Sequence, residues 1–256
     1  MGWIGRGRSE STRVRAGQIG LVELDSTAEA IRWADVAISV CPPHAALDVA
    51  RSVLEAGPCG CFADLNAIAP RRVREIASLF EGTRTTVVDG SLIGPPPRRA
   101  ARVRLHLSGE PAGVAILRRL FSGGQVESFD LGPELGRASA LKVAYALYTK
   151  GSLALAATAA ALAQGFDVLG PLDEEWERMA TGSPGAHLHR SSAAAWRWCG
   201  EMDEIAAACD DAGLDPAMPE AAASLYRRWE RHRDDREVSR RRLLEELRRT
   251  HQRSEP

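Results

Sequence analysis

A lysine placed just inside an apolar helix is the group in this sequence best suited to chemistry. The stretch Gly136-Arg-Ala-Ser-Ala-Leu-Lys142-Val-Ala-Tyr145 sets Lys142 near the start of a long alanine- and leucine-rich run. Burying an ammonium is costly unless it has proton-transfer work to do or a partner. Burial also lowers a lysine's pKa, which suits it to give or take a proton. Residues three and four apart share a helix face, so Tyr145 and Thr149 would set hydroxyls beside it. The plainer reading is a snorkelling side chain at a helix start. Lys150 is a weaker candidate of the same kind.

Three upstream segments end in residues suited to ligand contact. Ser39-Val-Cys41-Pro42-Pro43-His44 closes an apolar run with two prolines, which stop sheet pairing and turn the chain over the strand's C-terminal edge. That edge is where open α/β sheets bind ligands. Asp64-Leu-Asn66 follows the next run, and Asn66 carries both a donor and an acceptor. Asn and Asp equally cap turns and helix starts, and a helix is expected at Pro70. Asp89-Gly-Ser91-Leu-Ile93-Gly94-Pro95 offers a hydroxyl and a glycine at which backbone can approach a ligand closely.

These groups need a scaffold. The apolar runs Val36–Cys41, Cys61–Asp64 and Thr85–Asp89, with amphipathic stretches between them, predict buried strands of a mostly parallel sheet alternating with helices. From Ser139 onward the periodicity is helical: a segment to Gly165, then 173–180, 191–199, 202–212 and 219–232, with Gly165 and Gly213 suited to helix ends. A chain of 256 residues can hold two cores. The expectation is an α/β domain over 1–132 and an all-helical domain over 133–256.

The order of these landmarks, from about Arg8 to Arg228, resembles the β-hydroxyacid dehydrogenase superfamily, the hydroxyisobutyrate and phosphogluconate dehydrogenases. The resemblance implies that Lys142 is the catalytic acid/base, although Ala146 stands where the family's motif has an asparagine. It places the Pro42-Pro43 loop along a dinucleotide's ribose and phosphates and Asn66 at the nicotinamide end. Arg8 and Ser9 would receive the 2′-phosphate of NADP in preference to NAD. Ser91, Gly94, Pro95 and Tyr145 would face a small-molecule substrate. In that loop Ile93 replaces a serine and Pro95 a glycine, which implies a less anionic substrate; Ser91 is a substitute hydroxyl, expected on the opposite side of an extended segment.

The front end departs from the family. Trp3-Ile-Gly5-Arg-Gly7 imitates a first strand and turn, but Glu10 stands where a third glycine would be, and no complete helix is expected there. The segment reads as a flexible terminus. The fold class expected is therefore an N-terminally truncated Rossmann-like sheet domain, lacking its first strand, glycine-rich loop and first helix, followed by the all-α domain. The function implied is NAD(P)-dependent hydride transfer on a hydroxy or carbonyl compound, with homodimerisation through the helices. A cofactor-deficient dimeric remnant and an imine reductase are the alternatives.

Bulk properties exclude several classes. A net charge of -1 gives no electrostatic case for nucleic acid. Cys41, Cys59, Cys61, Cys199 and Cys209 are odd in number and lack zinc or disulfide spacing, so a reduced, cytoplasmic setting is expected. His187-Leu-His189 lies among Gly and Pro and reads as a solvated loop, not a metal site. No charged-then-apolar leader opens the chain. The run from Gly151 to Gly165 is shorter than the roughly 20 residues a bilayer needs and reads as a core helix. Trp176, Trp196, Trp198 and Trp229 suit core or interface positions, and Arg231–Arg253 suits a solvated amphipathic helix.

Overall fold

The structure, a computed structural model, describes residues 1–94, 103–179, 192–235 and 237–248. Pro95 and the pair His187 and His189 lie outside the described residues. The chain divides into two compact units, Met1–Lys142 and Val143–Pro256, so the division falls inside a helix and not at 132/133.

The first unit opens with β1 (Gly2–Ile4), α1 (Glu10–Gln18) and β2 (Val22–Leu24), the two strands pairing in parallel from Gly2 opposite Val22 to Ile4 opposite Leu24. The expected flexible terminus is thus a strand, a turn and a helix. Gly7 takes φ +75° in the turn, a conformation that favours glycine. Arg13 fastens α1 to the strands, donating to the Gly5 carbonyl at 3.0 Å and pairing with Glu23. Sequence periodicity misses α1 because only Ala16 in it is buried.

Next come α2 (Thr27–Trp33), capped by the Ser26 hydroxyl accepting from Glu29 N, then β3 (Val36–Ser39), a 3-10 turn (Pro43–Ala45) and α3 (Ala46–Ala56). They are followed by β4 (Cys61–Asp64), α4 (Pro70–Leu79), β5 (Thr86–Ile93), β6 (Val103–Gly109), α5 (Pro111–Leu120) and β7 (Val126–Asp130). The sheet runs β3-β4-β5-β6-β7, parallel except for the antiparallel pair β5–β6. Successive residues point to opposite faces. Phe62 accordingly packs with Ala50, Val53 and Ile76 on one side, while Ala63 packs with Val88, Leu107 and Leu117 on the other. Covering both faces is what makes these strands continuous apolar runs. Each buried leucine or isoleucine contributes about 1.5–3 kcal/mol.

The helix α6 spans Arg137–Gly165, and from Val143 it belongs to the second unit with α7 (Leu169–Glu177), α8 (Ala195–Asp211), α9 (Ala217–Arg228), a 3-10 turn (Glu230–His232) and α10 (Arg240–Leu247). Ala157 and Ala160 of α6 pack with Met202, Tyr226, Trp229 and Leu243 in its core. Where two helices were expected between 191 and 212, α8 is continuous. Gly213 caps it with φ +71°, as expected, whereas after α6 the positive φ falls on Asp167, not Gly165. Among the described residues α6 is the one helix long and apolar enough to cross a membrane, with 29 residues, so the expectation of a run too short for that does not hold. Its buried alanines nevertheless build a protein core.

Candidate functional site

Asp89 organises the first unit's chemistry. Its carboxylate, fully buried in β5, accepts from Ser108 Oγ, Gly136 N and Ser139 N at 3.0 Å each and from Ser139 Oγ at 2.7 Å. A side chain of the sheet thereby satisfies the orphan donors at the start of α6 and sets a negative group at the helix's positive end. Gly136 adopts φ +98° to enter the helix, with an added Cβ 3.2 Å from Pro70 Cβ. Burial raises the Asp89 pKa, and the four donors oppose that rise.

About one turn along α6, Lys142 Nζ donates to the Leu92 carbonyl at 2.6 Å. The half-buried ammonium therefore sits at the end of β5, two residues before Gly94, which takes φ +132°. Burial lowers the Lys142 pKa. One N–H is engaged by Leu92, which leaves two further donors on the ammonium.

Ser91 is fully buried, and its hydroxyl has no hydrogen-bond partner among the described residues. It lies on the same face of β5 as Asp89 and Ile93, since residues two apart in a strand share a face; this corrects the expectation that it falls opposite Ile93. Across the ladder Ser91 faces His106, whose Nδ1 is likewise buried and unpartnered.

Asn66 is 3% exposed and spends its side chain internally. Its Oδ1 accepts from Cys41 N at 2.6 Å, and its Nδ2 donates to Ser39 Oγ at 2.9 Å and Asp64 Oδ2 at 2.8 Å. No side-chain N–H remains for a carboxamide ligand. The residue clasps the ends of β3 and β4 together, the capping role that its residue type equally predicts.

A groove of about 700 Å³ in the first unit is lined by residues of β1, α2, β3 and α3, among them Ile4, Arg6, Arg8, Thr12, Ser39 and Cys41. Burial raises the Cys41 thiol, while the Ser39 hydroxyl and the charge of Arg8 draw it back down. Two guanidinium groups and a hydroxyl at one end suit a phosphate-bearing ligand, so the residues present fit the phosphorylated end of a nucleotide. Of the expected cofactor contacts, Arg8 lines this groove, while Ser9, Pro42, Pro43 and Asn66 do not. Ser9 stands at the N-cap of α1 with its hydroxyl on Ser11 and Thr12 at 3.0 Å, and Pro43 opens the 3-10 turn.

Tyr145 belongs to the second unit and is 49% exposed. The Thr149 hydroxyl donates back to the Tyr145 carbonyl at 3.0 Å, so it is committed to its own helix rather than offered to a ligand. Lys150 pairs with Glu201 and is likewise committed. No cluster able to hold a metal occurs among the described residues. The Asp89, Ser108 and Ser139 cluster is the feature that residue patterning misses, because its partners are brought together by the fold and not by local spacing.

Similarity to known proteins was found at three levels. Residues 159–229 match a family model described as "Domain of unknown function (DUF1932)". An uncharacterized 28.5 kDa protein encoded in the 7S RNA 5′ region of Methanothermus fervidus is 29% identical over 150 residues, 59% of this chain; the chain covers 56% of that protein's length. A conserved protein of unknown function, whose structure is described as similar to 3-hydroxyacid dehydrogenases, is 27% identical with a TM-score of 0.64 over 95% of this chain and 89% of its own. The Mycobacterium tuberculosis 3-hydroxyisobutyrate dehydrogenase matches with a TM-score of 0.68 at 17% identity, over 94% of this chain and 89% of its own. An imine reductase from Myxococcus stipitatus, in complex with NADP+, matches with a TM-score of 0.54 at 18% identity, over 86% and 83%. The fold is that of the hydroxyacid dehydrogenases, a parallel-rich α/β sheet unit followed by a helical region, and the resemblance read from the sequence holds across most of the chain.

Proposed function

We propose that this chain, built on the hydroxyacid dehydrogenase fold, is an NADP-preferring oxidoreductase acting on a small hydroxy or carbonyl compound. The observation that carries this reading is the half-buried Lys142 ammonium at the tip of β5, tied to Leu92 O at 2.6 Å with a pKa lowered by burial. A lysine so placed exchanges a proton with a substrate oxygen more readily than a solvated one does. The Asp89 cap on α6 fixes the helix turn that carries it. NADP, when bound, supplies the hydride chemistry. Arg6 and Arg8 would hold its phosphates, and the NADP+ complex of a fold neighbour supports the cofactor class. Ile93 beside Ser91 gives the substrate loop little to offer a carboxylate, which favours a weakly anionic substrate.

The partner proposed is a second copy. Tyr145, Tyr148, Leu155 and Leu162 of α6, and Phe166 just past its end, are 49 to 76% exposed and follow one another at heptad-like steps, with Ser152 and Ala159 between them. Such a stripe suits helix pairing. All five cysteines are free thiols, which supports a reducing compartment such as the cytoplasm.

NADPH titration followed through tryptophan fluorescence tests the reading, since Trp3 lines the groove. Saturable binding is expected, weakened about tenfold in Arg8→Ala, the scale of one charge-assisted hydrogen bond. With a substrate in hand, Lys142→Ala should lose about a hundredfold in turnover at unchanged NADPH affinity. Absence of saturable binding at millimolar NADPH would instead favour a non-catalytic remnant.

A further inference from the structure

We propose that Lys142 is a carbonyl-capturing amine, which forms a reversible imine with small neutral aldehydes. Of the 33 lysines and arginines in the chain only two, Lys142 and Lys150, are lysines. A guanidinium does not deprotonate in a protein and so lacks the free lone pair that attacks an aldehyde. Side-chain amine chemistry is therefore confined to two positions. At one of them it is blocked: the Lys150 ammonium pairs with Glu201, both side chains less than one-fifth exposed, and a carboxylate partner holds an amine in its protonated, unreactive form.

Lys142 is placed the other way. Its one partner among the described residues is the Leu92 carbonyl, a neutral acceptor at 2.6 Å. No carboxylate of the described residues pairs with it, and burial, the one cause acting on its pKa, lowers that value. A desolvated lysine without a counter-ion is the form in which this side chain attacks carbonyl carbons. The side chain is nevertheless only half-buried, and the strand end it reaches passes from partly buried Leu92 and Ile93 to exposed Gly94, so a small molecule can arrive from solvent. Leu92 and Ile93 are apolar and offer no charge to a carboxylate, which selects a neutral, short-chain aldehyde.

The step balances without an oxidant. The lone pair of the neutral amine forms a C–N bond to the carbonyl carbon, while the C=O π pair moves to oxygen and takes up a proton. The nitrogen then forms the second C–N bond and the oxygen leaves as water. Counted from the ammonium, two of its three protons depart in that water and one stays on the iminium nitrogen, so charge is conserved. The Leu92 carbonyl can accept that remaining N–H, so the contact that seats the ammonium also suits the product. Capture takes the amine out of proton exchange, which makes such an aldehyde a reversible covalent inhibitor of the proposed oxidoreductase. The inference shares Lys142 with that reading but needs no cofactor.

The test incubates the full chain with propanal and cyanoborohydride at neutral pH, with acetyl-lysine amide in the same tube as a solvated standard. Peptide mass mapping then locates N-propyl groups and separates Lys142 from Lys150 and from the α-amino group of Met1. Expected is propylation of Lys142 at least about tenfold faster than of the standard, since the reactive neutral fraction grows as the pKa falls. Lys150 should label more slowly than the standard. With the reductant withheld, the propanal adduct should be lost on dilution, as an imine is. Labelling of Lys142 no faster than the standard, no faster than in the chain unfolded in guanidinium, or an adduct that survives dilution would overturn the proposal. Glyoxylate, normalised to the same standard, should label Lys142 less than propanal does, and a preference for glyoxylate would overturn the neutral class. NADPH titration of the untreated chain separates the two readings: fast labelling without NADPH binding upholds the amine and removes the oxidoreductase, and the reverse pattern does the opposite.

Discussion

The Asp89 carboxylate holds Ser139 twice, accepting from its backbone N–H at 3.0 Å and from its hydroxyl at 2.7 Å, and so binds the middle of a sheet strand to the first turn of α6. Four donors converge on one side chain whose sequence neighbours give no hint of a capping role.

Asp89→Asn follows directly from that count. Ser108 Oγ, Gly136 N and Ser139 N share Oδ2 while the Ser139 hydroxyl donates to Oδ1, so a carboxamide that keeps its oxygen on the first three takes the acceptor from the Ser139 hydroxyl and removes the negative charge from the start of α6. Urea unfolding should show a loss of about 2–3 kcal/mol, the scale of unsatisfied buried donors. An unchanged midpoint would contradict the capping role.

Lys142 makes a pH-dependent cost. Its folded pKa is lowered by burial, so between that value and the ordinary lysine value the unfolded chain binds more protons than the folded one. Stability attributable to this group therefore rises with pH through that window. Wild-type protein should gain stability relative to Lys142→Met as the pH rises toward the ordinary lysine value of about 10.4. A difference that stays flat, or runs the other way, would mean that the ammonium is solvated.

The proposed dimer is tested on the α6 stripe. Leu155→Glu with Leu162→Glu places like charges on side chains that are 65% and 63% exposed in the single chain. Sedimentation should shift from dimer to monomer while far-ultraviolet dichroism stays within a few per cent. A monomeric parent protein, or a double variant that remains dimeric, would remove the stripe from any interface.

Patterning reads the parallel core well because strands covered on both faces advertise themselves as apolar runs: Val36–Ser39 and Cys61–Asp64 form strands as expected. It fails where burial is light. The α1 helix buries only Ala16, and β7, with Glu127 and Asp130, has no apolar alternation strong enough to read. For the site, the lysine stands out in the sequence by its place in an apolar helix, and burial in that helix lowers its pKa. The role of Asn66 is legible only as two alternatives, and three side-chain and backbone bonds to Cys41, Ser39 and Asp64 select the structural one. The Asp89 cluster is illegible in principle, since Gly136 and Ser139 lie 47 and 50 residues from it along the chain.

The three-residue ladder joining β1 to β2 has a mechanical consequence. So short a pairing, with no strand-to-strand link onward, makes the opening βαβ segment a flap of low local stability, the first part to detach as the protein warms.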